Sequence, residues 1–136
     1  MKSMDMDMDW VIAGLDGLKG VRHVIVLASD GLMRAKSPSL EREAADRLAA
    51  ACSGLQALGL SLAEEFGSPP GQTRQLMFEL DGCMLFVRRA AEGSHLAVLA
   101  DPQIDPGVIA TEMQSLVQRM GERTLTTPAR QDPPTS

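Results

Sequence analysis

Two histidines, His23 and His95, are the only side chains in this 136-residue sequence whose ordinary pKa suits proton transfer near neutrality. His23 falls inside an almost continuous apolar run, Val21 to Ala28, and reads as a hydrogen-bonded core or interface residue. His95 opens a later apolar run. Ser29 and Asp30 could be drawn as a nucleophile beside a base. With Gly31 next in the chain, a turn explains the same residue types. Cys52 has no basic neighbour four residues away to favour its thiolate, so packing is its expected use. Asp5, Asp7 and Asp9 would share one side of a strand and could face a hard cation. Their alternation with Met reads instead as a flexible acidic segment, and no metal site is assigned. Arg34, Arg74, Arg88 and Arg89 lie near strand ends, where an arginine could neutralise phosphate oxygens. Nothing singles one of them out, and solvated surface is the expected role of each. No Gly-rich phosphate loop with Lys is present. The sequence therefore assigns no catalytic residue, no metal and no cofactor, and argues against an enzyme.

Composition narrows the remaining classes. The length suits one domain that buries roughly two thirds of its unfolded surface. A net charge of −5 and the lack of any Lys/Arg cluster longer than Arg88-Arg89 argue against nucleic acid. Aromatic residues make up 3% and tyrosine is absent, so stacking platforms for bases are excluded in number. No apolar stretch of about 18 residues is present to span a membrane. The acidic start contradicts a secretory signal. Both cysteines, Cys52 and Cys83, sit in apolar patterns, which fits a reduced cytoplasmic setting.

The elements that would position these residues follow from periodicity. Residues 1–8 read as flexible. Asp9 could cap a short helix from Trp10 to Leu18 with Val11, Leu15 and Leu18 inward, weakened by Gly14 and Gly17 at about 1 kcal/mol each. Val21 to Ala28 reads as a central strand covered on both faces. The turn Ser29-Asp30-Gly31 leads to a short strand, Leu32 to Lys36. Ser37 or Ser39 would cap a long helix, with Pro38 in its first turn and Glu43 paired to Arg47. Thr73 to Leu80 alternates, with Leu76, Phe78 and Leu80 on one side and Gln75, Met77 and Glu79 on the other. Asp81-Gly82 is a hairpin signal into Cys83 to Arg89, and Glu92-Gly93-Ser94 turns the chain into His95 to Ala100. Asp105 with Pro106 starts a last helix bearing Ile109, Met113, Leu116, Val117 and Met120, with Gly121 as its end. Residues 124–136 read as a disordered tail around a domain of residues 9–123.

The long helix, residues 40–65, is the most informative segment. Leu48, Cys52, Leu55, Gly59, Leu62 and Phe66 form a stripe expected to face the core. Ala45, Ala49, Ser53 and Ala57 form a second line of small side chains, across which another backbone could come close. Charge is confined to the two ends. A helix dry on two faces implies a partner. On this reading Ala49→Glu breaks a dimer without unfolding the protomer, and Leu55→Ala costs about 2–5 kcal/mol as a core leucine.

The order helix, hairpin, long helix, three-stranded meander, helix resembles the Roadblock/dynein light chain family. Residues 20–32, GVRHVIVLASDGL, are similar to that family's first hairpin. Asp46-Arg47-Leu48-Ala49-Ala50 and Ser53-Gly54-Leu55 are similar to its long helix in bacterial members. Ala97-Val98-Leu99-Ala100, Asp105-Pro106-Gly107-Val108-Ile109 and Glu112-Met113 resemble its last strand and helix. The likeness spans roughly Asp9 to Arg123, toward an actinobacterial branch whose members accompany a histidine-kinase-like sensor and a small GTPase.

This resemblance implies an α+β three-layer sandwich: a five-stranded antiparallel sheet with the long helix on one face and two helices on the other. It implies a homodimer in which the long helices pair and the strands after them join, with Gln75, Met77 and Glu79 at the seam. It implies a cytoplasmic platform or regulator for a small Ras-like GTPase, recruited to the membrane through partners. Glu41, Arg42, Ala45, Asp46 and Ala49 match the surface that would receive the GTPase. A small-molecule-sensing module, or a purely structural dimerisation module, is the alternative implied by related folds.

Overall fold

The computed structural model describes residues 2–129, with side chains from 8 to 123. The element order is α1 (Lys2–Asp16), β1 (Val21–Leu27), β2 (Met33–Lys36), α2 (Arg42–Phe66), β3 (Gln75–Leu80), β4 (Cys83–Arg89), β5 (His95–Ala100) and α3 (Pro106–Ala129). The strands form one antiparallel sheet in the order β2-β1-β5-β4-β3, so β2 and β3 are its edges.

The continuous apolar strands have the two covered faces that their sequences imply. Val24, Val26, Met84, Phe86, Leu96, Val98 and Ala100 face Val11, Ile12 and Leu15 of α1 and Ile109, Met113, Leu116 and Met120 of α3. The alternate residues Ile25, Leu27, Leu85, Val87 and Ala97 face Ala45, Ala49 and Cys52 of α2. The arrangement is the expected α+β sandwich of three layers. Trp10 on α1 is clamped by α3, with the Arg123 guanidinium carbon 4.1 Å from the ring centroid.

Several local expectations are corrected. Helix α1 begins at Lys2 rather than Trp10, so Asp9 lies inside it and its backbone extends through most of the segment read as flexible. Helix α3 continues past Gly121 to Ala129; the rest of the expected tail, residues 130–136, lies outside the described residues, as does Met1. Neither Ser37 nor Ser39 caps α2; its N-cap is Glu41, without a side-chain cap. Ser37 is buried and has another use: its hydroxyl accepts from Val24 N at 2.7 Å and donates to Asp16 Oδ1 at 2.6 Å. The ion pair at the start of α2 joins Arg42 to Asp46 at 3.9 Å, in place of Glu43 with Arg47.

Candidate functional site

Several of the side chains that could do chemistry have structural partners. His23 is half-buried, with Nδ1 3.2 Å from Ser39 Oγ. Asp30 Oδ1 accepts from Leu32 N at 3.0 Å, so it closes its own turn and does not serve Ser29 as a base. Burial pushes the Cys52 thiol up to about 11, which keeps it protonated. Burial, and then the Arg89 charge, hold the His95 imidazole below its usual range. Arg88 Nη1 donates to Gln75 Oε1, and Arg89 Nε donates to Thr73 O, while Arg34 and Arg74 are exposed. Arg22, which the sequence reading passed over, pairs with Asp101 at 2.6 Å and reaches Gly82 O at 2.9 Å. Among the described residues no three His, Cys, Asp or Glu side chains are grouped to hold a metal. The side chains of Asp5 and Asp7 lie outside the described residues.

The distinctive surface is the far side of α2. The helix is apolar on two sides, and the expectation holds only in part: Cys52 and Gly59 are buried and Ala57 is exposed as expected, but Ala45 and Ala49 share the buried side and Leu62 and Phe66 do not. Ala45 and Ala49 are 0% and 1% exposed, packed against Ile25, Leu27, Leu85 and Val87 of their own chain. They face the home sheet and cannot face a second chain. Leu62 and Phe66, expected in the core, are 60% and 75% exposed, and Leu48 and Leu55 pack only at its margin. The physical reason is distance. Alanine side chains let the α2 backbone settle close to the sheet, and at Gly59 a Cβ would overlap Thr73 Cγ2. Both stripes are apolar, so amphipathicity alone does not say which one faces home.

At 100° per residue, the outward line of α2 is Ala50, Gly54, Ala57 and Ser61, all exposed, flanked by Ala51, Leu58 and Leu62. A Cβ on Gly54 would meet nothing within 4 Å. Of the residues expected at an interface, Ala57 is on this line and Ser53 is partly buried beside Gly31. Glu41, Arg42 and Asp46 are exposed at the start of the helix.

The same side of the sheet is apolar and open at β3. Phe78 pairs with Leu85 and Leu76 with Val87, so Leu76, Phe78 and Leu80 point toward the α2 layer. Leu80 is 46% exposed there, and Met77 on the opposite face is 54% exposed. An edge strand with this much exposed apolar surface is a template for another chain. Gln75 and Glu79 share the Met77 face, Gln75 partly buried and Glu79 exposed. Two surface depressions are lined by Ala63, Glu64 and residues 67–71, and by Asp105, Gly107, Val108, Thr111 and Glu112. Neither lies between the sheet and α2. No helix of the described residues is long and apolar enough to cross a membrane.

The family model described as Roadblock/LC7 domain matches residues 8–100. The crystal structure of a Roadblock/LC7 domain from Streptomyces avermitilis is 36% identical, with a TM-score of 0.78 over 86% of this chain and 97% of that one. Myxococcus xanthus MglB shares the fold at 13% identity, with a TM-score of 0.80 over 94% of this chain and 95% of that one. A structure of MglB with a tetrameric arrangement is 16% identical, with a TM-score of 0.72 over 86% and 87%. A search of curated proteins found no match.

Proposed function

This chain belongs to the Roadblock/LC7 family, and from that premise we propose that it is a non-catalytic, homodimeric regulator or adaptor of a small Ras-like GTPase. The working unit is residues 9–123, acting in a bacterial cytoplasmic signalling complex with a histidine-kinase-like sensor and reaching the membrane only through its partners.

The observation that carries this reading is the exposed outer face of α2 beside the open edge of β3. Leu58 and Leu62 on the helix and Phe78 and Leu80 on the strand are large apolar side chains left at the surface on one side of the sheet. Among the described residues nothing lies over them. A second copy would cover them, because a two-fold axis beside β3 brings an identical apolar face to each. Ala50, Gly54 and Ala57 let the two helices approach closely. MglB, which shares the fold, has been seen in a tetrameric arrangement, in keeping with association of such chains. The paired helices would then present Glu41, Arg42 and Asp46 from both chains on one outer surface, where the GTPase is received.

The test is to purify a small Ras-like GTPase from the same cell and add this chain to it. Binding should be measurable by calorimetry, and the rate of GTP hydrolysis distinguishes the two modes: acceleration marks a regulator, and binding without acceleration marks an adaptor. Absence of binding to the GTP-loaded and GDP-loaded forms would refute the GTPase role.

A further inference from the structure

The arginines differ in what holds them. Arg22 pairs with Asp101, and Arg42 with Asp46 at 3.9 Å. Arg88 donates to Gln75, and Arg89 to Thr73 O. Arg119 and Arg123 lie over Trp10 in the layer of α1 and α3. Arg34, Arg47 and Arg74 are exposed and, among the described residues, have no hydrogen bond, ion pair or ring contact.

Their places in the fold separate these three. Arg34 is on β2, the edge of the sheet away from β3. Arg74 follows Thr73, whose hydroxyl donates to Gln56 of α2 and whose methyl lies against Gly59. It therefore stands beside the second half of α2, at least about 15 Å along the axis from Asp46 at 1.5 Å per residue. Arg47 is the residue after Asp46, in the group with Glu41 and Arg42 on which the GTPase is proposed to be received.

The neighbours of Arg47 leave it available. Glu43, one turn before it, is exposed and does not pair with it; the ion pair of this turn is Arg42 with Asp46. Three, four and seven residues after it come Ala50, Ala51 and Gly54, all exposed. These are its neighbours on the helix surface. None carries more than a methyl group, so nothing there shields the guanidinium or holds another backbone away. The next charge along α2 is Glu64. A guanidinium presents a planar fork of donors that matches phosphate oxygens.

Resting on the GTPase reading above, we propose that Arg47 is the residue this chain adds to the nucleotide site of the GTPase it receives, bonding to the oxygens about the γ-phosphate of bound GTP. In hydrolysis a water oxygen bonds to the γ-phosphorus while the bond to the β–γ bridging oxygen breaks. The electron pair of that bond goes to GDP, and the proton of the water leaves with the phosphate. Arg47 keeps its own protons and stabilises the charge that develops. The chain has no reaction of its own, and its role is that of a regulator and not of an adaptor alone.

Single-turnover hydrolysis by the GTPase, with and without the full chain, tests this. The parent chain should raise the rate. Arg47→Ala and Arg47→Lys should each cut the accelerated rate by about a hundredfold or more. Both should bind the GTP-loaded form within about threefold of the parent, because the contact forms fully only in the transition state. Arg47→Lys keeps the charge, so its loss of rate separates a phosphate contact from a charge that merely steadies the complex. GDP with aluminium fluoride should tighten the complex of the parent and leave that of Arg47→Ala unchanged. Arg74→Ala should match the parent. Acceleration that survives in Arg47→Ala, that is lost in Arg74→Ala instead, or that is absent from a parent which still binds overturns the assignment and leaves the docking standing. A parent that binds neither nucleotide form refutes the GTPase reading, and the role of Arg47 with it.

Discussion

Ser37 and Asp16 meet at 2.6 Å, and through them the β2–α2 junction is bolted to the end of α1. Ser37 is fully buried, and the same hydroxyl receives Val24 N at 2.7 Å. One side chain thus ties the central strand to a helix of one layer and to the lead-in of the helix of the other. A buried polar group of this kind contributes mainly by not being left unpaired.

Ser37→Ala therefore strands the Val24 N–H and the Asp16 carboxylate together. The expected loss is about 1–3 kcal/mol of unfolding free energy. Chemical denaturation of the variant beside the parent measures it. A midpoint unchanged from the parent would show that water replaces the hydroxyl.

Ala49→Glu acts on the fold and not on an interface. Ala49 is 1% exposed against the sheet, and a carboxylate there has no cation to meet. The variant should lose the cooperative thermal transition or express only as aggregate. A folded variant with a normal transition would return Ala49 to the outer face. Leu55, at the core margin, should cost less on truncation than the about 2–5 kcal/mol of a fully buried leucine.

His95 gives the fold a pH dependence of defined sign. Burial first, and then Arg89, lower its pKa in the folded chain from an ordinary 6.5. Below 6.5 the unfolded chain takes up a proton that the folded chain refuses, so stability falls with falling pH until the folded pKa is passed. Above 6.5 the residue contributes nothing. His95→Gln should flatten the fall in thermal midpoint just below 6.5. An identical slope in both proteins would contradict this.

The two thiols should separate cleanly by reactivity. Cys52 is buried with its pKa pushed up to about 11, whereas Cys83 is partly exposed at the start of β4. A thiol reagent at neutral pH should label Cys83 in the native chain and reach Cys52 only on unfolding. Equal labelling rates would mean that α2 opens readily from the sheet.

The strands were legible to the residue where turns bounded them. Asp81-Gly82 and Glu92-Gly93-Ser94 bound β4 on both sides and β5 at its start, and Cys83–Arg89 and His95–Ala100 match their expected spans. The central position of β1 followed from its unbroken apolar run. The inward face of α2 was legible only in part: Cys52 and Gly59 are buried as expected, whereas Ala45 and Ala49 take inward places and the larger Leu62 and Phe66 are exposed. Close helix–sheet approach selects the small residues instead, a tertiary effect with no local signature. Ser37 failed as a cap for a related reason: its partner Asp16 is 21 residues away and its geometry cannot be read locally. The start of α1 was hidden by the alternation of Met and Asp, which has strand-like period and no apolar helical stripe. What the sequence did make readable was a helix apolar on two sides, followed by an alternating strand that lies at the sheet edge.

The most direct measurement is sedimentation equilibrium of the parent chain beside Leu58→Asp/Leu62→Asp. Both leucines are more than half exposed, at 65% and 60%, so the protomer has little to lose by the change. The account predicts a parent of two chains at micromolar concentration, and a variant of one chain with an unchanged thermal midpoint. A parent that stays a single chain, or a variant that stays paired, would contradict the outer face of α2 as the surface through which this protein associates.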